Sequence, residues 1–170
     1  IDILNNHIEH TTHAGINCGG TFVNIMYNEI NDVLRDYSDQ GFIYSATSMP
    51  GSEIAYNYLH DTNYNEIKME DWGDWRNLGG KIRLCNAKYQ GSMKVGIYKD
   101  GYTYAGHIHH NIFKNMLYGV YTLGWNTPCD NNIFIDAFIP ISTAIGGWET
   151  EKFNSGQSVL LANNHTRWMN

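Results

Sequence analysis

Charged side chains are scarce in this chain of 170 residues: Asp, Glu, Lys and Arg together make up 16% of it, against about a quarter in ordinary soluble domains. With 42% hydrophobic residues beside them, that scarcity excludes intrinsic disorder. Basic residues are fewer still. The 11 Lys and Arg are outnumbered by 17 Asp and Glu, for a net charge of -6. No basic stripe is present, so no nucleic acid is expected as a partner. Long hydrophobic runs are also missing. None approaches the ~18 apolar residues of a membrane span, so no membrane partner is expected. Cysteine is limited to Cys18, Cys85 and Cys129. An odd count, widely spaced and without CxxC, excludes a complete disulfide framework and a zinc knuckle. Helix formers are thin, and no long stretch of 3.6-residue period appears. The length suits one domain, residues 1–170, with a core of its own. The chain opens at Ile1 without a Met, a charged n-region or an apolar h-region, which reads as a mature form or the central or C-terminal part of a longer protein.

Asn, Gly and Tyr are plentiful instead: 20 Asn, 17 Gly and 12 Tyr. Asn and Gly favour turns and positive φ, and Tyr favours strands. The Asn residues are not scattered. Asn6-His7-Ile8, Asn28-Glu29-Ile30, Asn57-Tyr58-Leu59, Asn111-Ile112-Phe113 and Asn132-Ile133-Phe134 share the form Asn-x-apolar, and two residues beyond each stands His10, Asp32, Asp61, Asn115 or Asp136. A short alternating strand precedes most copies. A second strand follows, usually opened by glycine, as in Gly15-Ile16, Gly41–Tyr44, Gly96–Tyr98 and Gly119–Tyr121. A sixth copy starts at Ser158–Leu161 and turns at Asn163-Asn164.

The Asn-to-Asn spacings are 22, 29, 54, 21 and about 31 residues. A unit of the shorter length holds three short strands and three bends. The expected fold is therefore all-β, a right-handed parallel β-helix of five to six coils with loop insertions. Stacked coils lie about 4.8 Å apart. That spacing puts the repeated Asn amides in a ladder and Ile8, Ile30, Leu59, Phe113 and Phe134 in one buried column. A β-sandwich would give no reason for Asn-x-apolar to recur at one place in every unit, and the leucine-rich pattern is absent. Terminal coils without a cap imply end-on packing against further coils or another subunit.

Insertions in a repeat become surface loops. The largest, between Asp61 and Val95, carries Trp72 and Trp75 among Glu66, Glu70, Asp71 and Asp74. Trp125 and Trp148 follow two later strands. Sugar rings stack on indoles and carboxylates bind their hydroxyls, so these four Trp are candidate carbohydrate platforms, with coverage of the protein's own flank as the alternative.

Two segments carry acids beside a shared Ile-Tyr: Asp39-Gln40-Gly41-Phe42-Ile43-Tyr44 and Gly96-Ile97-Tyr98-Lys99-Asp100-Gly101. Glycoside hydrolysis needs two carboxyls, one to protonate the leaving group and one to act as nucleophile or base. Asp100 and Asp39 are the catalytic candidates, with Tyr44 and Tyr98 positioning them and Lys99 beside them as a substrate contact. In-register stacking of the two Ile-Tyr pairs sets Asp39 and Asp100 seven positions apart, too far at about 3.3 Å per residue unless the chain bends before Gly41. Asp36, Glu70, Asp71 and Asp74 are the other carboxylates that could complete a pair with Asp100.

These segments, with Tyr27–Leu34, Tyr56–Asp61 and Asp130–Asp136, resemble the right-handed parallel β-helix carbohydrate-active enzymes, above all their glycoside hydrolases of xylosidase, xylanase and fucosidase type. Those proteins commonly carry Asp-Gly-Gly-Ala-Ile-Tyr and, a coil later, Gly-Ile-Tyr-Leu-Asp-Asp-Gly, with catalytic acids in both strands. The resemblance implies roles for Asp39 and Asp100 and a plant or algal polysaccharide as substrate. Here Gln40 replaces the first glycine, Lys99 replaces the leucine, and one Asp precedes Gly101.

Two other functions use the same residues. A polysaccharide lyase would turn Lys99 and Arg83 toward a uronate, and a non-catalytic carbohydrate-binding or adhesin module would use the Trp loops alone. His107 and His109 alternate on one strand face with His60 nearby, which reads as a polar exposed face and not as a metal site. No cofactor is expected, calcium being the one ion left open. Asn164-His165-Thr166 fits the N-glycosylation pattern, and the expected location is extracellular or periplasmic.

Overall fold

The computed structural model describes residues 1–36, 39–62, 94–101, 103–124, 126–143, 161–162 and 165–167. Among them there is no helix. Fifteen strands run in chain order: β1 Asp2–Leu4, β2 His7–Glu9, β3 Ile16–Asn17, β4 Asn24–Met26, β5 Glu29–Asn31, β6 Gln40–Ser45, β7 Glu53–Ala55, β8 Tyr58–His60, β9 Lys94–Lys99, β10 His107–His109, β11 Ile112–Thr122, β12 Cys129–Asp130, β13 Ile133–Thr143, β14 Leu161–Ala162 and β15 His165–Arg167. Their pairings are all parallel.

The strands form two sheets, which corrects the expected right-handed β-helix solenoid of five to six coils. One sheet has six strands in the order β1-β4-β7-β10-β12-β14. The other has nine. Its order β2-β5-β8-β11-β9-β6-β3 doubles back at β11, and β13 pairs with β11 and β15. The cause lies in β11 and β13. Each runs eleven residues through a place where the sequence suggests two strands and a bend. The bend is present, because Asn115 and Asp136 have φ of 53° and 51°. Pairing nevertheless continues across it, from Lys114↔Ile135 to Met116↔Ala137. Two walls that the repeat pattern separates are thereby one sheet.

The residue pattern explains what holds the sheets in register. Ile8, Ile30, Leu59, Phe113 and Phe134 are successive partners in one column, and the last four are fully buried. Ile3, Ile25, Ile54, Ile108 and Cys129 make a second column in the six-stranded sheet, facing the same core. The Asn ladder joins them. In each link the lower Asn Oδ1 accepts from both the backbone N–H and the Nδ2 of the Asn above. These bonds measure 2.9–3.0 Å from Asn6 to Asn28, and 3.0 Å from Asn28 to Asn57, Asn57 to Asn111 and Asn111 to Asn132. The second Nδ2 hydrogen goes to a backbone carbonyl: Ile3, Ile25, Ile54 and Ile108 for Asn28, Asn57, Asn111 and Asn132. Every polar atom of a buried amide is thus used. The bends on either side are left-handed: Asn5, Tyr27, Tyr56, His110 and Asn131 before the ladder, and His10, Asp32, Asp61, Asn115 and Asp136 after it. Asn and Asp tolerate that conformation at low cost.

Candidate functional site

β6 and β9 pair with Ile43↔Ile97, Tyr44↔Tyr98 and Ser45↔Lys99, and β11 continues the columns with Val120, Tyr121 and Thr122. Strand alternation sends Ile43, Ile97 and Val120 inward and the tyrosines outward. On the outer face Tyr44, Tyr98 and Tyr121 form a row, with ring centroids 5.5 Å and 5.1 Å apart. Val95, Leu117 and Tyr118 pack beside them as a small second cluster.

Both candidate acids lie at this row. Asp100, just after β9, accepts from Tyr44 Oη at 2.6 Å, from Tyr98 Oη at 3.2 Å and from the Gly101 N–H at 2.6 Å. Three donors fix the plane of its carboxylate. Asp39, just before β6, meets the same Tyr98 hydroxyl at 3.5 Å. One oxygen atom therefore lies between the two carboxyls, and their nearest oxygens are no farther apart than those two bonds end to end. The seven-position offset along a straight strand does not apply because Asp39 lies outside β6 in a left-handed conformation, while Gly41 stays paired with Val95 inside the strand. A Cβ there would lie 2.5 Å from the Ile43 carbonyl oxygen and 2.9 Å from the Tyr98 backbone nitrogen, closer than real Cβ atoms come. Asp39 itself has φ of 62°.

Burial holds the Asp39 carboxyl above its ordinary value, and the charge of Asp100 adds to this, while the Tyr98 hydrogen bond works against it. Burial, with the nearby carboxylates, also pushes the hydroxyls of Tyr44 and Tyr98 well above the usual tyrosine range. Both remain protonated donors across the working pH range. A hydroxyl has one hydrogen and can accept as well as donate. A protonated Asp39 can donate to Tyr98 Oη, whose own hydrogen goes to the Asp100 carboxylate as acceptor.

Lys99 does not share this face. It points inward with Ser45 and Thr122 and is fully buried, so it cannot reach a ligand lying over Tyr98 and Asp100. That placement corrects the expectation of a substrate contact, and the cause is the same alternation that sends Tyr98 outward. Trp72, Trp75, Trp125 and Trp148 lie outside the described residues, as do Arg83, Glu66, Glu70, Asp71 and Asp74. Asp36 is exposed, and its backbone N–H bonds the Thr12 carbonyl. Tyr121 and the Gly101 N–H were not singled out from the sequence, although Tyr121 closes the Gly-x-Tyr repeat and carried a readable signal.

Other reactive groups are tied into the structure. Cys18 is half-buried and Cys129 is buried, its sulfur accepting from Asn132 Nδ2 at 3.4 Å. Burial pushes both up, Cys129 to about 12, so neither is a ready nucleophile. His107 Nε2 bonds Asp130 at 2.6 Å, and the His107 and His109 ring centroids are 4.1 Å apart. Burial lowers His109, and the charge of His107 contributes. Among the described residues no group of three or more His, Cys, Asp or Glu is arranged to hold a metal ion, and no helix is long and apolar enough to cross a membrane.

The chain matches no protein-family model, and no curated protein or solved structure is significantly similar to it.

Proposed function

We propose that the chain is a glycoside hydrolase acting on a plant or algal polysaccharide, with Asp39 as general acid and Asp100 as the second carboxylate. The observation that carries this is the pair of carboxyls on either side of one tyrosine hydroxyl, one of them raised in pKa and the other held by three donors. Two carboxyls in unlike environments are what divides the acid from the nucleophile or base. Asp39 gives its proton to the glycosidic oxygen as the bond breaks. Asp100 acts on the anomeric carbon, directly or through a water. Tyr98 holds the two in relation and supplies a donor to whichever carboxylate carries charge. Tyr44 fixes Asp100 from the other side.

The lyase alternative needs a cation near a uronate carboxylate. Lys99 faces the interior, which removes the described candidate for that role. The distinguishing experiment is turnover on a panel of neutral and uronate-rich plant and algal glycans. New reducing ends without unsaturated-uronate absorbance support hydrolysis. That absorbance would mean elimination, and neither signal would point to a non-catalytic binding module.

A further inference from the structure

A recess lies away from the two carboxyls, where the chain bends into the six-stranded sheet. It measures about 310 Å³ and is lined by Gly51, Ser52, Glu53, Gly106, His107 and Asn126 among others. Its rim is built from left-handed residues: Gly51, Ala105, Gly106 and Asn126 have φ of 68°, 60°, 89° and 53°. The chain is forced into the same conformation at Phe22, with φ of 54°. For a bulky side chain this is strained, since its Cβ crowds the following carbonyl. The strain brings no burial in return: Phe22 is 73% exposed. Its ring rests on the bare Cα of Gly51, where a Cβ would come within 2.7 Å of Cε1. Its backbone is pinned by a 3.1 Å bond to the Pro50 carbonyl. The exposed ring therefore stands beside Gly51, a residue that lines the recess, and offers a flat apolar surface next to the polar groups of Glu53, His107 and Asn126.

We infer that this recess is a second, non-catalytic saccharide subsite, with Phe22 as its stacking surface and Glu53, His107 and Asn126 as its hydroxyl-binding groups. The chemistry selects the ligand class. A sugar ring offers an apolar C–H face and a rim of hydroxyls, so it uses a flat ring together with a carboxylate, an imidazole and an amide. Glu53 retains an exposed carboxylate, its side chain 49% accessible beside His109. A purely apolar partner would desolvate the Glu53 carboxylate and the Asn126 amide without offering either a hydrogen bond. The inference rests on the polysaccharide reading above. It adds that the polymer is held at two places, through residues of β7 and β10 as well as at the tyrosine row.

The test is affinity electrophoresis in gels containing soluble xylan or soluble fucan, with Asp100→Asn as the parent so that the probe is not consumed. At least one polymer should retard the parent. Phe22→Ala should weaken that binding about tenfold, and Glu53→Gln should weaken it measurably. With Asp100 intact, both variants should hydrolyse a short aryl glycoside as fast as the unsubstituted chain. Phe22 is exposed, so Phe22→Ala should keep its melting temperature, and the isosteric Glu53→Gln guards against a folding artefact. The inference is overturned if both variants are retarded like the parent, or if neither polymer retards the parent. Failure of the hydrolase reading is distinguishable. In that case Phe22-dependent retardation persists while the chain with Asp100 intact releases no reducing ends.

Discussion

Asp39 and Asp100 are chemically identical side chains set in different surroundings. Asp100 accepts three hydrogen bonds at 2.6–3.2 Å, whereas among the described residues Asp39 has the long contact to Tyr98 at 3.5 Å. Asp100→Asn preserves the shape and removes the ionisable group. It should lower kcat/KM by roughly 10²–10⁴-fold while leaving the denaturation midpoint nearly unchanged, and retention of most activity would end the two-carboxylate assignment. Tyr98→Phe tests the relation between the acids. The Tyr98 hydrogen bond pulls the Asp39 carboxyl down against burial and the charge of Asp100. Removing it should raise Asp39 further. A general acid works protonated, so the alkaline limb of the kcat/KM profile reports its deprotonation. That limb should move to higher pH in Tyr98→Phe, and an unmoved limb would show that Asp39 is not the acid.

The elements are held by the Asn ladder more than by any single strand, since most strands are only two or three residues long. Asn57 is fully engaged. Its Oδ1 accepts twice from Asn28, and its Nδ2 donates to the Ile25 carbonyl and to Asn111. Asn57→Ala leaves those partners buried and unpaired, at about 1–3 kcal/mol for each group left unsatisfied. Denaturant titration should show a loss of at least ~3 kcal/mol, against under ~1 kcal/mol for Asn6→Ala, which lies exposed at the end of the ladder. Equal losses would mean that the amides are not acting as a chain. This ladder was legible in the sequence because a recurring Asn before an apolar residue marks both a left-handed neighbour and a stacked amide. The joining of two walls into one nine-stranded sheet was not. It depends on backbone pairing carried across the bends at Asn115 and Asp136, which those residues permit without specifying. The approach of Asp39 to Asp100 was hidden for a related reason: residue counting assumes a straight strand, and Asp39 lies beyond the end of β6 with φ of 62°. The inward direction of Lys99 was readable, since it alternates with an outward tyrosine.

Across the whole molecule, the core that supports this site carries a cost of its own. Lys99 lies fully buried between Ser45 and Thr122, and among the described residues its Nζ has no hydrogen-bond partner. Burial lowers its pKa from 10.5 to about 8, partly offset by Cys18. The folded chain therefore binds its proton less tightly than the unfolded chain. Below about pH 8 both states are protonated and the penalty is fully present. Between about 8 and 10.5 the unfolded state carries more protons, so stability rises with pH through that window. Above it the penalty is gone. The difference in pKa corresponds to about 3 kcal/mol at neutral pH. Lys99→Met keeps a long apolar stem and removes the charge. It should stabilise the fold at pH 7 by up to about that amount. The gain should shrink toward zero as pH passes from 8 to 10.5. Denaturation of both chains at several pH values measures the difference directly, with the titration of other groups, apart from Cys18 which is coupled to Lys99, cancelling between them. A gain that does not vary with pH would assign the effect to packing, and no gain would show that the Lys99 amine is solvated or partnered in the folded chain.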